Sequence, residues 1–303
     1  MTLLSSTSAF PLSHSTSFAQ SASLVDDKES VLARDFLVKL SPNYAYAIFN
    51  DQAAQIKDKR VEVSADPSDA FKLRVDSVLT SRVDRSLLPV YVQAHFEPSD
   101  RPAEAHLNQL LTEETLGRHN FDLKKNVTAD FFDEVPSHAR DECGFLVTDK
   151  NLFTYDTFNR QQLAKQLTTR HDLTITRATP TDIDELVQFD NSVSGFNRQS
   201  YVEEMSRRSQ CLIAREGGSI VGVLFGGDAR VFALYGDSTE IAHSLLSHFL
   251  SSISSSTVSL FTRVDVWTGS LSSRRVIRRH TRLVPSLIQW SKVFAHNVGM
   301  NIV

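Results

Sequence analysis

A glycine pair between two apolar runs constrains the fold of this chain more than any other local feature. Gly217-Gly218 separates the run at 211–214 (CLIA) from the run at 220–225 (IVGVLF). A tight turn between two strands needs positive φ values, which glycine adopts without strain. The pair therefore predicts an antiparallel β-hairpin whose strands are these two runs.

The segments around this hairpin predict alternating strands and helices. Residues 173–176 alternate apolar and polar side chains, and 231–235 and 258–261 are short apolar runs, so all three are predicted strands. One helix is expected from Thr181, with Asp184 completing its capping box and Gly195 ending it, and another from Asn197. A long amphipathic helix is predicted to begin at Asp237 as N-cap, with Glu240 in its first turn, and to run to about Ile253.

This order of elements resembles the core of the GNAT fold of GCN5-related N-acetyltransferases. Five segments look like the tandem GNAT proteins of the YitH/HolE acetyltransferase type: 194–198 (SGFNR), 211–215 (CLIAR), 220–222 (IVG), 234–238 (LYGDS) and 280–282 (HTR). The resemblance covers residues 172–303 and implies an α/β fold with a mixed sheet. It also implies two GNAT-like domains in tandem, of which the C-terminal one is clearer.

The first half gives a weaker pattern, and we divide the chain accordingly. Residues 1–30 are rich in Ser and Thr and are expected to form a disordered tail. Residues 31–168 would be a degenerate GNAT-like domain and 169–303 the GNAT-like domain of the YitH/HolE type. Within the first half, strands are predicted at 36–40, 71–79, 87–96 and 152–158, and helices at 44–56, 103–111 and 122–135.

The family implies acetyl-CoA as cofactor, with its pyrophosphate at a helix start, where free N–H groups attract phosphate. In the second half this place is the turn at 235–240, whose two acids favour a capped structural helix. In the first half it is 117–125 (GRHNFDLKK), where Arg118, Lys124 and Lys125 carry the required charge but the later glycines of the family pattern are missing. These three and Val92 are the candidate cofactor contacts, and a solvated basic segment is the alternative.

The chemistry implied by the family is direct attack of an amine on a thioester, assisted by a general base and an acid. Tyr91 and His95, on the predicted strand at 87–96, are the catalytic candidates. Tyr235 and Trp267 would line the opening at the strand ends of the second half and are the candidate substrate contacts. For all four, ordinary packing is the alternative. No cluster of residues with metal-ligand spacing is visible in the sequence.

One strong charge run, Arg274–Arg282, favours an exposed edge strand, with contact to phosphates as the alternative. The net charge of −4 argues against a nucleic-acid partner, and no apolar run is long enough to cross a membrane. Two cysteines in 303 residues suit a reducing compartment, so the chain is expected to be cytoplasmic, with the nucleus as an alternative.

Two functions remain open from the sequence. The first is an acyl-CoA-dependent N-acetyltransferase acting on an amine of a small molecule or a protein. The second is a catalytically inactive GNAT-fold binding or regulatory protein that has lost the CoA site.

Overall fold

The structure is a computed structural model that describes residues 19–49, 52–57, 59–79, 100–116, 125–227 and 229–296. In the first half the strands are β1 (Ala19–Val25), β2 (Val31–Ser41), β3 (Tyr44–Phe49), β4 (Arg60–Ala65), β5 (Lys72–Leu79), β6 (Asp100–Pro102), β7 (Asn126–Phe132), β8 (Val147–Thr148) and β9 (Phe153–Asn159). The helices are α1 (Ala103–Leu116), α2 (Ser137–Asp141) and α3 (Arg160–Ala164).

The second half continues with strands β10 (Thr174–Arg177), β11 (Gln210–Glu216), β12 (Ser219–Gly227), β13 (Arg230–Gly236), β14 (Thr257–Arg263), β15 (Ser272–His280) and β16 (Val293–Ala295). Its helices are α4 (Ile183–Ser194), α5 (Gln199–Arg208) and α6 (Thr239–Ser252). The predicted hairpin is confirmed as β11 and β12, and Gly217 and Gly218 have φ values of 58° and 90°.

Within the described residues the strands join one mixed sheet, in the order β10-β11-β12-β13-β14-β9-β15-β7-β3-β2-β1-β5-β4-β6. The described strands form three parallel pairs: β1 with β5, β3 with β7, and β13 with β14. Next to the last two pairs lies a strand from the other half, because β7 also pairs with β15 and β14 also pairs with β9. The mixed α/β class predicted from the sequence is confirmed, and the two halves exchange strands at the centre of the sheet.

Apolar side chains cover both faces of this sheet. On one face, residues of β2 and β3 such as Phe36 and Tyr46 share a cluster with Phe189 of α4 and Tyr201 of α5. On the opposite face the first half packs against α1 and the second half against α6. Because side chains alternate between faces along a strand, one continuous sheet serves all three clusters.

Two predicted helices of the first half are wrong. Residues 44–56 were expected to be helical after Ser41-Pro42, but Tyr44–Phe49 is strand β3, which pairs with β2 across a short turn. Residues 122–135 were also expected to be helical, but Asn126–Phe132 is strand β7. Both segments are rich in aromatic and β-branched residues, which suit a pleated, half-buried surface better than a helix.

The edge strand predicted for the arginine run is wrong as well. Residues 272–280 do form a strand, but β15 lies inside the sheet between β7 and β9. Arg278 and His280 are buried there, and Arg274 is half-exposed. A buried Arg needs a charged partner, and the sequence alone could not locate one.

At the N-terminus, residues 19–25 of the predicted disordered tail form strand β1, so the prediction is wrong for that segment. Within the described ranges, no helix is long and apolar enough to cross a membrane. Both cysteines, Cys143 and Cys211, are buried free thiols.

Candidate functional site

Each half has a place where two parallel neighbours separate. β3 and β7 pair from Tyr44 with Asn126 to Ala47 with Ala129, and both strands continue beyond that point. β13 and β14 pair only at Arg230–Val231 with Ser259–Leu260. In α/β sheets, ligands bind in the crevice beyond the carboxyl ends of such strands. We call these the first crevice, beyond β3 and β7, and the second crevice, beyond β13 and β14.

The second crevice is filled by the chain itself. β16 pairs with β13 through Leu234 with Ala295 and Tyr235 with Val293. On the other side, the backbone N–H of His296 donates to the carbonyl of Phe261 in β14 at 2.8 Å. The backbone of 293–296 therefore takes the hydrogen-bonding positions that the two separating strands offer.

Side chains beyond the carboxyl ends of β13 and β14 also hold this segment. The indole Nε1 of Trp267 donates to the carbonyl of Phe294 at 2.8 Å, and the Lys292 ammonium lies 2.9 Å from Oδ1 of Asp237. The central pocket that remains has a volume of about 10 Å³, which is room for about one water molecule. It is lined by Leu40, Tyr44, Val193, Ser194, Phe196, Arg198, Tyr235, Ile288, Val293 and His296.

An ion pair and a tyrosine form the polar wall of the central pocket. Arg198 donates to both carboxylate oxygens of Asp190 at 2.8 Å and to the hydroxyl of Tyr235 at 3.0 Å. Its guanidinium also lies 4.5 Å from the centre of the Tyr201 ring. Burial opposes the charge on Arg198, but Asp190 outweighs it and keeps the pKa of Arg198 well above its usual value. The polar atoms of Asp190, Arg198 and Tyr235 are joined by these hydrogen bonds, and the contacts stabilise the turn between α4 and α5.

His296 is a neutral group in the same pocket. It is buried, stacks on Trp290 with ring centres 5.1 Å apart, and its Nδ1 has no hydrogen-bond partner among the described residues. Burial lowers the pKa of His296 well below 6.5, and the charge of Arg278 adds to the effect. The imidazole is therefore unprotonated near neutral pH.

The predicted substrate contacts of the second half do not meet. Tyr235 lines the central pocket, and burial raises its pKa. Trp267 packs against a different core cluster, beside His243, and its polar edge is used by β16. The helix start near Tyr235 is capped by Ser238, whose hydroxyl accepts from the N–H of Ile241 at 3.4 Å, and not by Asp237 as predicted.

The cap of the first predicted helix of this half also differs from the prediction. Its capping box is formed by Thr179 and Asp182, and the predicted box of Thr181 with Asp184 is wrong. The predicted end of the helix is confirmed, because Gly195 follows α4 with a φ of 75°.

A carboxylate–imidazole pair lies at the first crevice. Glu104, in the first turn of α1, accepts from Nε2 of Gln52 at 2.7 Å through Oε1, and its Oε2 contacts Nε2 of His138. Gln52 follows the end of β3 and His138 follows the end of β7, so Glu104 joins the two sides of the crevice. The Glu104 side chain is 7% exposed and that of His138 is 19% exposed. No motif in the sequence indicates this pair.

Five predicted site residues of the first half lie outside the described residues: Tyr91, Val92, His95, Arg118 and Lys124. Lys125 directly precedes β7 and so lies at the end of that strand opposite to the first crevice. It does not sit at a helix start, because the segment after it is a strand.

Buried polar groups join β15 to the first half. Arg278 donates to Asp130 from Nε at 2.8 Å and from Nη2 at 2.6 Å, and the hydroxyl of Tyr46 donates to the same carboxylate at 2.7 Å. Beside them, His280 lies 3.0 Å from Asp149 through Nε2. Arg278 is thus engaged by a carboxylate, which argues against phosphate contact through this residue.

His280 is also the centre of a hydrogen-bonded chain that ends at the central pocket. Its Nδ1 lies 2.7 Å from Oγ1 of Thr128, which lies 2.7 Å from the hydroxyl of Tyr44. Tyr44 is a lining residue of the central pocket, and burial raises its pKa to about 12. These hydrogen bonds run from His280 in the second half to Thr128 and Tyr44 in the first half, so they help to hold the exchanged strand β15 in place.

Comparison with known proteins supports the fold. Residues 4–147 match a family model described only as a domain of unknown function, DUF7596. No curated protein matches the chain. Among solved structures, the chain is similar to a protein from Pyrococcus horikoshii provisionally described as an acetyltransferase, with 9% identity, a TM-score of 0.50, and coverage of 89% of this chain and 76% of the other.

Two further solved structures are similar at lower TM-scores. One is a GCN5-related N-acetyltransferase from Sphaerobacter thermophilus, with 11% identity, a TM-score of 0.44, and coverage of 86% and 81%. The other is a tandem GNAT protein from the clavulanic acid biosynthesis pathway, with 10% identity, a TM-score of 0.43, and coverage of 90% and 86%. All three of these structures are described as acetyltransferases or GNAT proteins, and one of them is a tandem GNAT protein.

Proposed function

We propose that this chain is an acyl-CoA-dependent N-acetyltransferase whose active site is the first crevice. The GNAT-like fold is the starting point, but a fold alone does not establish chemistry. The observation that carries the proposal is the Glu104–His138 pair at the carboxyl ends of β3 and β7, where α1 also begins. An imidazole and a carboxylate at such a crevice are the groups that acyl transfer to an amine uses.

The second half serves a structural role in this proposal. Its crevice is filled by β16, and its helix start carries Asp237, which is paired with Lys292. We further propose that the chain divides into units at 31–168 and 169–303, with β1 added to the first unit because it pairs with β2 and β5. Residues 165–173 join α3 to β10 without a strand or a long helix. The segments that resemble the YitH/HolE type support placing the chain with those tandem proteins. Two buried free thiols agree with a reducing compartment such as the cytoplasm.

The catalytic and cofactor candidates predicted from the sequence of the first half remain part of the proposal. Tyr91 and His95 are candidates for the chemistry, and Val92, Arg118 and Lys124 for the cofactor. Lys125 follows the carboxyl end of α1, separated from it by the segment 117–124. The helix dipole does not attract phosphate at that end, so affinity from these basic side chains alone should be strongly dependent on salt. The acceptor would be an amine of a small molecule or a protein.

A second candidate function is a GNAT-fold binding or regulatory protein without acyl transfer. The helix starts next to the two crevices favour it, because each carries an acid. Glu104 is buried at the start of α1, and Asp237 precedes α6. A carboxylate competes with phosphate for the N–H groups of a helix start, and it repels the phosphate charge.

Titration of the intact chain with acetyl-CoA separates the two candidates. If the enzyme proposal is right, titration calorimetry detects a heat of binding for acetyl-CoA. Saturating acetyl-CoA should also raise the melting temperature of the chain, because a ligand at a hundred-fold excess over its Kd adds about 2.7 kcal/mol of stability. Arg118→Ala should weaken binding about ten-fold or more, because a hydrogen bond to a charged group contributes roughly 1.5–3 kcal/mol.

Arg207→Ala is the matched control. Arg207 is exposed on α5 in the second half, and its one ion-pair partner among the described residues is Glu204, one turn away. Its loss should therefore leave the affinity unchanged. An intact chain that gives neither heat nor a thermal shift at saturating acetyl-CoA would decide for the non-catalytic candidate.

A further inference from the structure

We propose that His138, held by Glu104, is the general base of the first crevice, and this inference rests on the proposed function. Neither residue was identified from the sequence. His138 lies on the short helix α2 and Glu104 on α1, and the structure joins residues separated by 34 positions in the chain.

The contact determines which imidazole nitrogen can act. A carboxylate accepts hydrogen bonds, so Nε2 of His138 carries the proton that it donates to Glu104. In a neutral imidazole the other nitrogen, Nδ1, then holds the free lone pair. No hydrogen bond within the described part of the chain reaches Nδ1. A carboxylate that fixes the tautomer and stabilises the imidazolium is the arrangement by which a histidine acts as a base in acyl transfer.

Glu104 is itself held in place. Gln52 donates to its second oxygen at 2.7 Å, and the carboxylate is almost fully buried, so its orientation does not depend on solvent. His138 keeps 19% of its side chain exposed, which leaves a path for a substrate. Glu104 is thus a positioning residue, and His138 is the residue that would contact the acceptor.

In the proposed step, the neutral acceptor amine uses its nitrogen lone pair to form a bond to the thioester carbonyl carbon. As this bond forms, Nδ1 of His138 accepts the proton that the nitrogen must lose to become an amide. The C–S bond breaks, the sulfur leaves with the electron pair, and the proton on the imidazolium passes to that thiolate or to solvent. The same base would take a proton from water, so hydrolysis of the thioester reports on it without knowledge of the natural acceptor.

Charged groups from several elements surround His138. The charged groups on neighbouring elements are Glu104 on α1, Asp141 and Arg140 on α2, Glu142 after it, and Arg60 on β4, which pairs with Glu142 at 3.3 Å. The Cys143 thiol nearby is buried, and burial raises its pKa, so it stays protonated. Carboxylates therefore predominate around the imidazole.

Two measurements on the full chain test the proposal. First, diethyl pyrocarbonate should modify His138, and acetyl-CoA should slow that modification, while modification of the exposed His171 stays unchanged. Second, release of thiol from acetyl-CoA should fall about 100-fold or more in His138→Gln, because general-base catalysis contributes roughly 10²–10⁴-fold. Glu104→Gln should lower kcat with little change in KM and alter the acid limb of the pH profile. His171→Gln is the control.

Each outcome is decisive. If acetyl-CoA does not bind the intact chain, the proposed function fails and this inference fails with it. If acetyl-CoA binds but His138→Gln releases thiol at the rate of the intact chain, or the intact chain releases none, the base assignment alone is overturned. A loss in His138→Gln with unchanged acetyl-CoA affinity and an unchanged melting temperature supports it.

Discussion

The buried ion pair between Arg278 and Asp130 offers the sharpest test of the strand exchange. β15 comes from the second half, yet Arg278 donates two hydrogen bonds to a carboxylate of β7 in the first half. The two side chains are 2% and 0% exposed. Replacing Arg278 by Met keeps much of the side-chain volume but leaves the Asp130 carboxylate buried without its counter-charge.

The expected loss is large. Removing one partner of a buried ion pair destabilises a protein by about 3–5 kcal/mol, because an uncompensated charge stays in the interior. The total stability of a folded domain is only about 5–15 kcal/mol. The double variant Asp130→Leu/Arg278→Met should recover much of the loss, since replacing both charges removes the desolvation penalty together with the attraction.

Arg274→Met is the matched control on the same strand. Arg274 pairs with Asp133 at 2.7 Å, but these side chains are 42% and 58% exposed, so the expected loss is about 0–1 kcal/mol. Urea denaturation of the full chain, followed by circular dichroism, measures all three variants. Equal midpoints for Arg278→Met and Arg274→Met would refute the buried position of β15.

Two further changes test local features. Gly217→Val should lower the stability of the full chain by about 1 kcal/mol, because a φ of 58° strains a β-branched residue even though no atom lies within 4 Å of the new Cβ. The control Gly227→Ala should be tolerated, since its Cβ would meet the Phe232 ring at an ordinary contact distance of 3.7 Å. Equal thermal midpoints for the two variants would contradict the turn. His296→Gln should reduce the loss of stability as pH falls below 6.5, because burial lowers the pKa of His296 and the unfolded chain therefore binds the proton first. The slope for one such group is at most about 1.4 kcal/mol per pH unit, and it is measured by denaturation at a series of pH values with His171→Gln as control. Parallel stability curves for His296→Gln and the unchanged chain would show that His296 does not contribute.

Features determined by neighbouring residues could be predicted from the sequence. The Gly217-Gly218 turn and the helix end at Gly195 depend on backbone conformations that few residues adopt. The β3 segment was misread although its signal is local, because Ser41-Pro42 is also a good helix start. The alternation of Tyr44, Ala45, Tyr46 and Ala47 places the aromatic rings on one face of a strand. This alternation predicts a strand when it is given more weight than the helix-start signal of Ser41-Pro42.

The site residues could not be found this way, because contacts between distant segments depend on the strand order. Glu104 meets His138 only because β3 and β7 end beside α1. Arg278 meets Asp130 across 148 positions because β15 enters the sheet of the other half. The position of a charged strand such as 274–282 can be predicted only when the strands on either side of it are known. From the charges alone, an exposed edge strand is the simplest interpretation.

The strand exchange also links the two halves in function. β7 forms one side of the first crevice, and its outer neighbour is β15 of the second half. Without the second half, β7 would have an unpaired edge and Asp130 would lose its buried partner. A second half whose own crevice is filled by β16 is therefore still needed to hold the site of the first half. It follows that substitutions at Arg278 should reduce acetyl-CoA binding in proportion to the loss of folded protein, even though Arg278 lies outside the proposed active site.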